Sequence, residues 1–133
     1  MTAAFCDTSV LIRYFAEDDI PRAAAASALI DSDVDVFLST TVVLETIHVL
    51  RTQHHLENPD LAGILIRFLS RSNVRLTDTD KAGVIAALAW TQSSAARRIP
   101  DAVVISAAEQ AGVDYIATFD EKMTSRRLRV RML

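Results

Sequence analysis

The sequence predicts an α/β fold, a three-layer sandwich with a central parallel sheet of about four to five strands and helices on both faces. Two observations carry this expectation. Short apolar runs alternate along the chain with longer amphipathic stretches. Half of the 133 residues are apolar, with only 3 Gly and 3 Pro, which suits an ordered core and leaves no linker. No repeat or low-complexity segment divides the chain, so residues 1–133 are expected to form one domain.

The elements follow in order. Ala3 to Cys6 is short and apolar, runs directly into Asp7, and reads as a buried first strand. Ser9 to Phe15 reads as a short helix. Pro21 suits the first turn of a helix reaching Ser32, because its missing N–H is not needed there. Val36 to Ser39 reads as a second buried strand. Thr40 or Thr41 can cap a helix through Gln53, with Val43, Ile47 and Leu50 on its apolar face. Pro59 and Asp60 open another, to Ser70. Val74 to Leu76 is a brief strand, and Asp78 or Thr79 can cap a helix to Thr91. Pro100 opens a helix that ends near Gly112, a residue type suited to the position just past a helix end. Tyr115 to Ala117 is a strand, Glu121 to Ser125 a helical turn, and Leu128 to Met132 an edge strand.

Composition excludes several classes. A lone cysteine, Cys6, forms no internal disulfide, which suits a reducing compartment. The first residues carry no basic and apolar leader pattern, and no apolar run approaches the roughly 18 residues of a membrane span. A cytoplasmic protein is therefore expected. The net charge of −3 argues against nucleic-acid binding by bulk charge alone. Charge is unevenly spread, however: Arg126, Arg127, Arg129 and Arg131 fall within the last eight residues.

Four acids carry the chemistry. Ligands of open α/β sheets collect outside the carboxyl ends of the strands. Asp7 follows the first strand directly, and Asp120 comes three residues after Ala117. Asp101 lies in the first turn of the helix opened by Pro100, and Glu45 one turn into the helix after the second strand. Four carboxylates gathered at one edge repel unless a cation compensates them, and Mg²⁺ or Mn²⁺ suits an all-oxygen site. Such a metal can activate a water and neutralise charge building on a phosphate. Each acid also has an ordinary structural reading. Asp7 and Asp120 can cap the helical turns that follow them, Asp101 can complement a helix dipole, and Glu45 can be a surface glutamate. Their joint placement separates the two accounts.

With these residues in view, the sequence resembles the PIN-domain family, and within it the VapC-like toxin ribonucleases. The resemblance rests on four segments in order: Asp7-Thr8-Ser9-Val10-Leu11-Ile12 after an apolar strand, Glu45 within Thr40-Thr41-Val42-Val43-Leu44-Glu45, Ile99-Pro100-Asp101-Ala102-Val103-Val104-Ile105-Ser106-Ala107-Ala108, and Tyr115-Ile116-Ala117-Thr118-Phe119-Asp120. It implies that Asp7, Glu45, Asp101 and Asp120 form an acidic metal site, with Ser9 and Thr118 as supporting polar residues. It implies a Mg²⁺-dependent endoribonuclease that leaves 5′-phosphate and 3′-hydroxyl ends, with Mn²⁺ as a possible substitute. RNA is the implied substrate, a small antitoxin the implied partner, and a homodimer the expected assembly. Asp7 and Asp101 are the expected direct ligands, and Glu45 and Asp120 are expected to ligate through water or position the nucleophile, a division the sequence alone leaves open.

Other features carry less. Adjacent His54 and His55 face different directions and have no cysteine pair beside them, so they make a poor zinc site. Cys6 reads as a small buried hydrophobe, and Trp90 as core. The acids Glu17, Asp18 and Asp19 read as a solvated turn, and the Asp78–Asp80 pair as helix-capping. Arg97 and Arg98, just before the Asp101 helix, are candidates for RNA phosphate contacts. The C-terminal arginines suit either phosphate contact or protection of an edge strand. The apolar residues Leu29, Ile30, Leu61, Ile64, Leu65 and Phe68 exceed what one small sheet needs, and are expected to be partly covered by an antitoxin or a second copy. Two other functions remain: a phosphoacceptor receiver domain, which needs a lysine after a late strand, and a catalytically silent PIN-like binding module.

Overall fold

The computed structural model describes residues 2–93 and 98–133. Six helices and five strands alternate: β1 (Ala3–Phe5), α1 (Thr8–Ala16), α2 (Ile20–Ile30), β2 (Asp35–Leu38), α3 (Thr40–Thr52), α4 (Asn58–Leu69), β3 (Val74–Leu76), α5 (Lys81–Gln92), α6 (Ile99–Gln110), β4 (Tyr115–Thr118) and β5 (Arg129–Met132). The expected mixed α/β class with a parallel sheet is what the chain forms.

Strands β1, β2 and β3 make a parallel sheet in that order, with Ala4, Val36 and Val74 in one row. Parallel neighbours need long crossovers. The α1–α2 and α3–α4 pairs supply them. Val36 and Leu38 of the central strand β2 are fully buried. The other two strands form a separate parallel pair, with Ile116 opposite Val130. The five strands are thus divided three and two, where one continuous sheet was expected. Among the described residues the outer edge of β1 has no strand partner, and Phe5 there is 58% exposed. The β4–β5 pair offers only a half-buried inner face, at Ile116 and Val130, for packing.

Helix starts follow local chemistry. Pro21, Pro59 and Pro100 each stand in the first turn of α2, α4 and α6, as their positions predict. Two caps differ from expectation by a residue or two. Ser39, not Thr40 or Thr41, caps α3 by accepting from the Val42 amide at 3.3 Å. Asp80, not Asp78 or Thr79, caps α5 through the Ala82 amide at 3.2 Å. Asp78 instead accepts from the Thr40 hydroxyl at 2.6 Å and the Thr40 amide at 3.1 Å, tying the chain after β3 to the start of α3. Asp19 is not merely solvated: it caps α2. Gly112 takes the left-handed conformation past α6 at φ 73°, the role its position predicts. Residues 121 and 122 form a turn rather than the expected helical turn to Ser125.

The core joins Leu11 of α1, Ile47 and Leu50 of α3, Leu61 and Leu65 of α4, Leu88 of α5 and Ile99 of α6, all 1% exposed or less. Tyr14, Phe15 and Phe68 stack edge-on and tilted at 5.3–5.9 Å between centroids, joining α1 to α4. This corrects one expectation. Ile30, Leu61, Leu65 and Phe68 are buried within the monomer and need no partner to cover them, whereas Leu29 and Ile64 stay half-buried. Trp90 is half-buried rather than core, with the Arg126 guanidinium 5.9 Å above its ring.

Candidate active site

Asp7 and Glu45 stand before α1 and on α3, and Asp101 and Asp120 at the start of α6 and after β4. Asp7 leaves β1 in extended conformation and caps α1. One carboxylate oxygen, Oδ1, accepts from the Ser9 hydroxyl at 2.6 Å and the Ser9 amide at 3.0 Å, with the Val10 amide at 3.4 Å. The Ser9 hydroxyl, then the Val10 amide, hold its carboxyl below the usual carboxylate range, against a smaller opposing effect of burial. Oδ1 is thereby committed to the helix start, whereas no hydrogen bond is made to Oδ2 among the described residues. Its capping role therefore leaves an oxygen over.

Glu45 is exposed on α3, and α1 packs against α3. Its Oε2 accepts from the Thr8 hydroxyl at 2.7 Å. Thr8 therefore links the glutamate to the residue next to Asp7. Sequence reasoning did not single out Thr8, although it lies inside the first motif. A hydroxyl directly after a candidate acid was the available signal.

Asp101 lies in the first turn of α6, and α6 packs on both α5 and α3. Asp120 lies in the turn after β4, where its Oδ1 accepts from the Lys122 amide at 2.9 Å and its own amide donates to Thr118 Oγ1 at 2.9 Å. Ser9 and Thr118 thus each hold one of the acids. Arg98 joins the second pair: Nε stands 3.1 Å from Asp101 Oδ2 and Nη2 stands 3.1 Å from Asp120 Oδ2. Arg97 lies outside the described residues. Beside Asp101 is a depression walled by Arg98, Lys122, Trp90 and Met123.

Asp101 and Asp120 are thus joined through Arg98, and Glu45 is joined to Thr8, the residue after Asp7. Among the described residues, no three His, Cys, Asp or Glu side chains come together as a metal-holding group. The donor chemistry nonetheless fits a hard divalent ion. The donors are carboxylates and hydroxyls, and two of the carboxylates already converge on one positive centre, the Arg98 guanidinium.

The remaining candidates fall elsewhere. His54 and His55 lie in the α3–α4 connection, where His55 has φ 56°. Cys6 is 1% exposed, and burial, then the neighbouring Asp7 charge, pushes its thiol up. Three of the C-terminal arginines are engaged on their own chain: Arg126 over Trp90, Arg127 at 3.7 Å from Glu109, and Arg131 at 5.5 Å over Tyr115. No helix among the described residues is long and apolar enough to cross a membrane.

The chain is an α/β protein with a parallel sheet and carboxylates after its first strand, on its third helix, at the start of its last helix and after its fourth strand. A family model described as PIN domain matches residues 4–127, and the chain belongs to the PIN-domain family. The PIN domain is generally a metal-dependent nuclease fold. No curated protein matches the chain. Family membership removes the phosphoacceptor receiver reading.

Proposed function

We propose that this chain is a Mg²⁺-dependent endoribonuclease, able to use Mn²⁺, and the VapC-like toxin of a cytoplasmic toxin–antitoxin pair. One observation carries the nuclease reading: in a PIN-domain chain, Asp101 and Asp120 approach one cationic centre at 3.1 Å each from different parts of the fold. The antitoxin and the homodimer rest on the family resemblance alone.

In this reading Asp7 and Asp101 would be the most direct holders of the metal, with Glu45 and Asp120 ligating it through water or positioning the nucleophile. The bound ion supplies charge neutralisation at the scissile phosphate and lowers the pKa of a water. Asp7 contributes Oδ2, since Oδ1 is held by Ser9 and Val10. Glu45 has Oε2 occupied by Thr8, which leaves Oε1 to orient a water. Lys122 and Arg98, at the depression beside Asp101, lie where a substrate phosphate meets positive charge.

The test is cleavage of RNA by the purified chain with Mg²⁺ or Mn²⁺, with EDTA, and with the variants Asp7→Asn and Asp101→Asn. Cleavage is expected from the wild type with metal only, and each variant is expected to lose it. Metal-independent cleavage that survives both substitutions rejects the mechanism. A folded wild type that cleaves no RNA with either metal supports a silent binding module instead. Growth arrest on expression, relieved by Asp101→Asn, tests the toxin role separately.

A further inference from the structure

The position of Arg98 goes beyond this reading, on which it rests, and concerns how the site is controlled. Arg98 stands at the N-cap of α6 and makes no capping hydrogen bond through its side chain. Local chemistry disfavours it there. N-caps favour Ser, Thr, Asp or Asn, and the positive end of the helix dipole repels a cation. A residue that breaks the local rule is held by something else, and here its partners are visible. The guanidinium forks between Asp101 and Asp120, at 3.1 Å from each. The two acids come from different elements, α6 and the turn after β4, so one cation neutralises and clasps both.

The exposures matter. The Asp101 and Asp120 side chains are 26% and 32% exposed, whereas that of Arg98 is 60% exposed. The carboxylates are partly sheltered and the guanidinium has solvent to swing into. A divalent ion held on the same two oxygens would lie a few ångströms from the guanidinium, and like charges at that range repel. Ion and guanidinium therefore compete for one place.

We infer that Arg98 is a built-in counter-ion that keeps Asp101 and Asp120 paired in the metal-free chain, and that a divalent cation binds by displacing it. Exposed ion pairs are individually weak, so the competition is expected to be several-fold rather than absolute.

The experiment measures Mn²⁺ binding to the purified full chain by electron paramagnetic resonance of the free ion, with no RNA present. The wild type, Arg98→Gln and Asp101→Asn are compared at low and high salt. Arg98→Gln is expected to bind Mn²⁺ about 3- to 10-fold more tightly at low salt, an advantage that shrinks at high salt. Unchanged or weaker binding by Arg98→Gln, where Asp101→Asn does reduce binding, overturns the counter-ion role and leaves the metal site standing. Equal binding by wild type and Asp101→Asn sinks the metal site itself. If Arg98→Gln fails to fold, Arg98→Lys is measured instead. It keeps the charge and loses the fork across both carboxylates, so a smaller tightening is expected and none overturns the inference.

Discussion

Thr8 and Glu45 meet across the α1–α3 packing, the Thr8 hydroxyl donating to Glu45 Oε2 at 2.7 Å. The bond fixes which glutamate oxygen is left for other work, and it joins two motifs 37 residues apart in sequence. Thr8→Val keeps the branched shape and removes the donor. The bond is exposed, so stability is expected to change by no more than about 0.5 kcal/mol. RNA cleavage is expected to fall about 3- to 10-fold, the effect of one lost hydrogen bond of about 1 kcal/mol on Glu45 placement. Thermal melts beside kcat measurements check both. An unaltered kcat excludes a positioning role for Thr8.

Ser9 makes a second prediction through Asp7. The Ser9 hydroxyl is the main reason the Asp7 carboxyl lies below its ordinary range. A carboxyl whose folded pKa is depressed contributes stability that is present above its unfolded pKa of about 3.9 and is lost as pH falls through the folded value. Ser9→Ala removes the largest lowering cause and keeps the two amide bonds. The Asp7 pKa should rise toward the ordinary value but not reach it. Carboxyl titration followed by nuclear magnetic resonance reads this directly, and acid unfolding should begin at higher pH in the variant. A titration unmoved by the substitution would show that the amides alone set the Asp7 charge.

The sequence announces those parts whose cause is local. Pro21, Pro59 and Pro100 mark helix starts because proline lacks the N–H a first turn does not use. Gly112 marks a helix end because its φ of 73° suits glycine best. The parallel sheet is legible because β1 to β3 are short and apolar and alternate with helices. Caps are less legible: at Ser39-Thr40-Thr41 and Asp78-Thr79-Asp80 several residues can cap, and the one that leaves helical geometry is set by the strand before it. Periodicity shows that α2 and α4 have apolar faces, but not that Phe68 is covered by Tyr14 and Phe15 of the same chain. Strand partners are non-local too, so the division into β1–β2–β3 and β4–β5 has no signature in either segment. Asp7, Asp101 and Asp120 draw notice in the sequence because each follows a strand or opens a helix, and Glu45 because it stands one turn into one. That Arg98 would bridge two of them depends on how α6 and the β4 turn meet.

Cys6 provides a check on the core beneath the site. Its side chain is 1% exposed, and burial, then the Asp7 charge, disfavours the thiolate. The thiolate is the reactive form, so Cys6 should resist a disulfide reagent such as dithionitrobenzoate at neutral pH and react at once in denaturant. Fast labelling of the native chain would mean that the β1–α1 junction opens readily. Asp7 sits at that junction, so such opening would also loosen the acid.

The seating of α6, and with it Asp101, depends on Gly83. Glycine inside a helix costs about 1 kcal/mol relative to alanine, so by propensity alone Gly83→Ala in α5 should stabilise. A Cβ at Gly83, however, collides with the Gln110 amide nitrogen and lies 3.2 Å from Ser106 Oγ. Gln110 is no free end that can step aside. Its Oε1 accepts from the Thr79 hydroxyl at 2.5 Å and the Asp80 amide at 2.9 Å, while Nε2 donates to Ser106 Oγ at 2.7 Å. Overpacking is therefore expected to win, with Gly83→Ala losing about 1–3 kcal/mol in denaturant unfolding. Gln110→Ala removes the obstructing arm. In the double variant, Gly83→Ala should cost less than in the wild-type background, because the two side chains compete for one space. Additive losses would place the damage elsewhere than at the α5–α6 contact. Cleavage should follow the same order: a lifted α6 carries Asp101, and Arg98 with it, away from Asp120, and the double variant should bring part of the activity back.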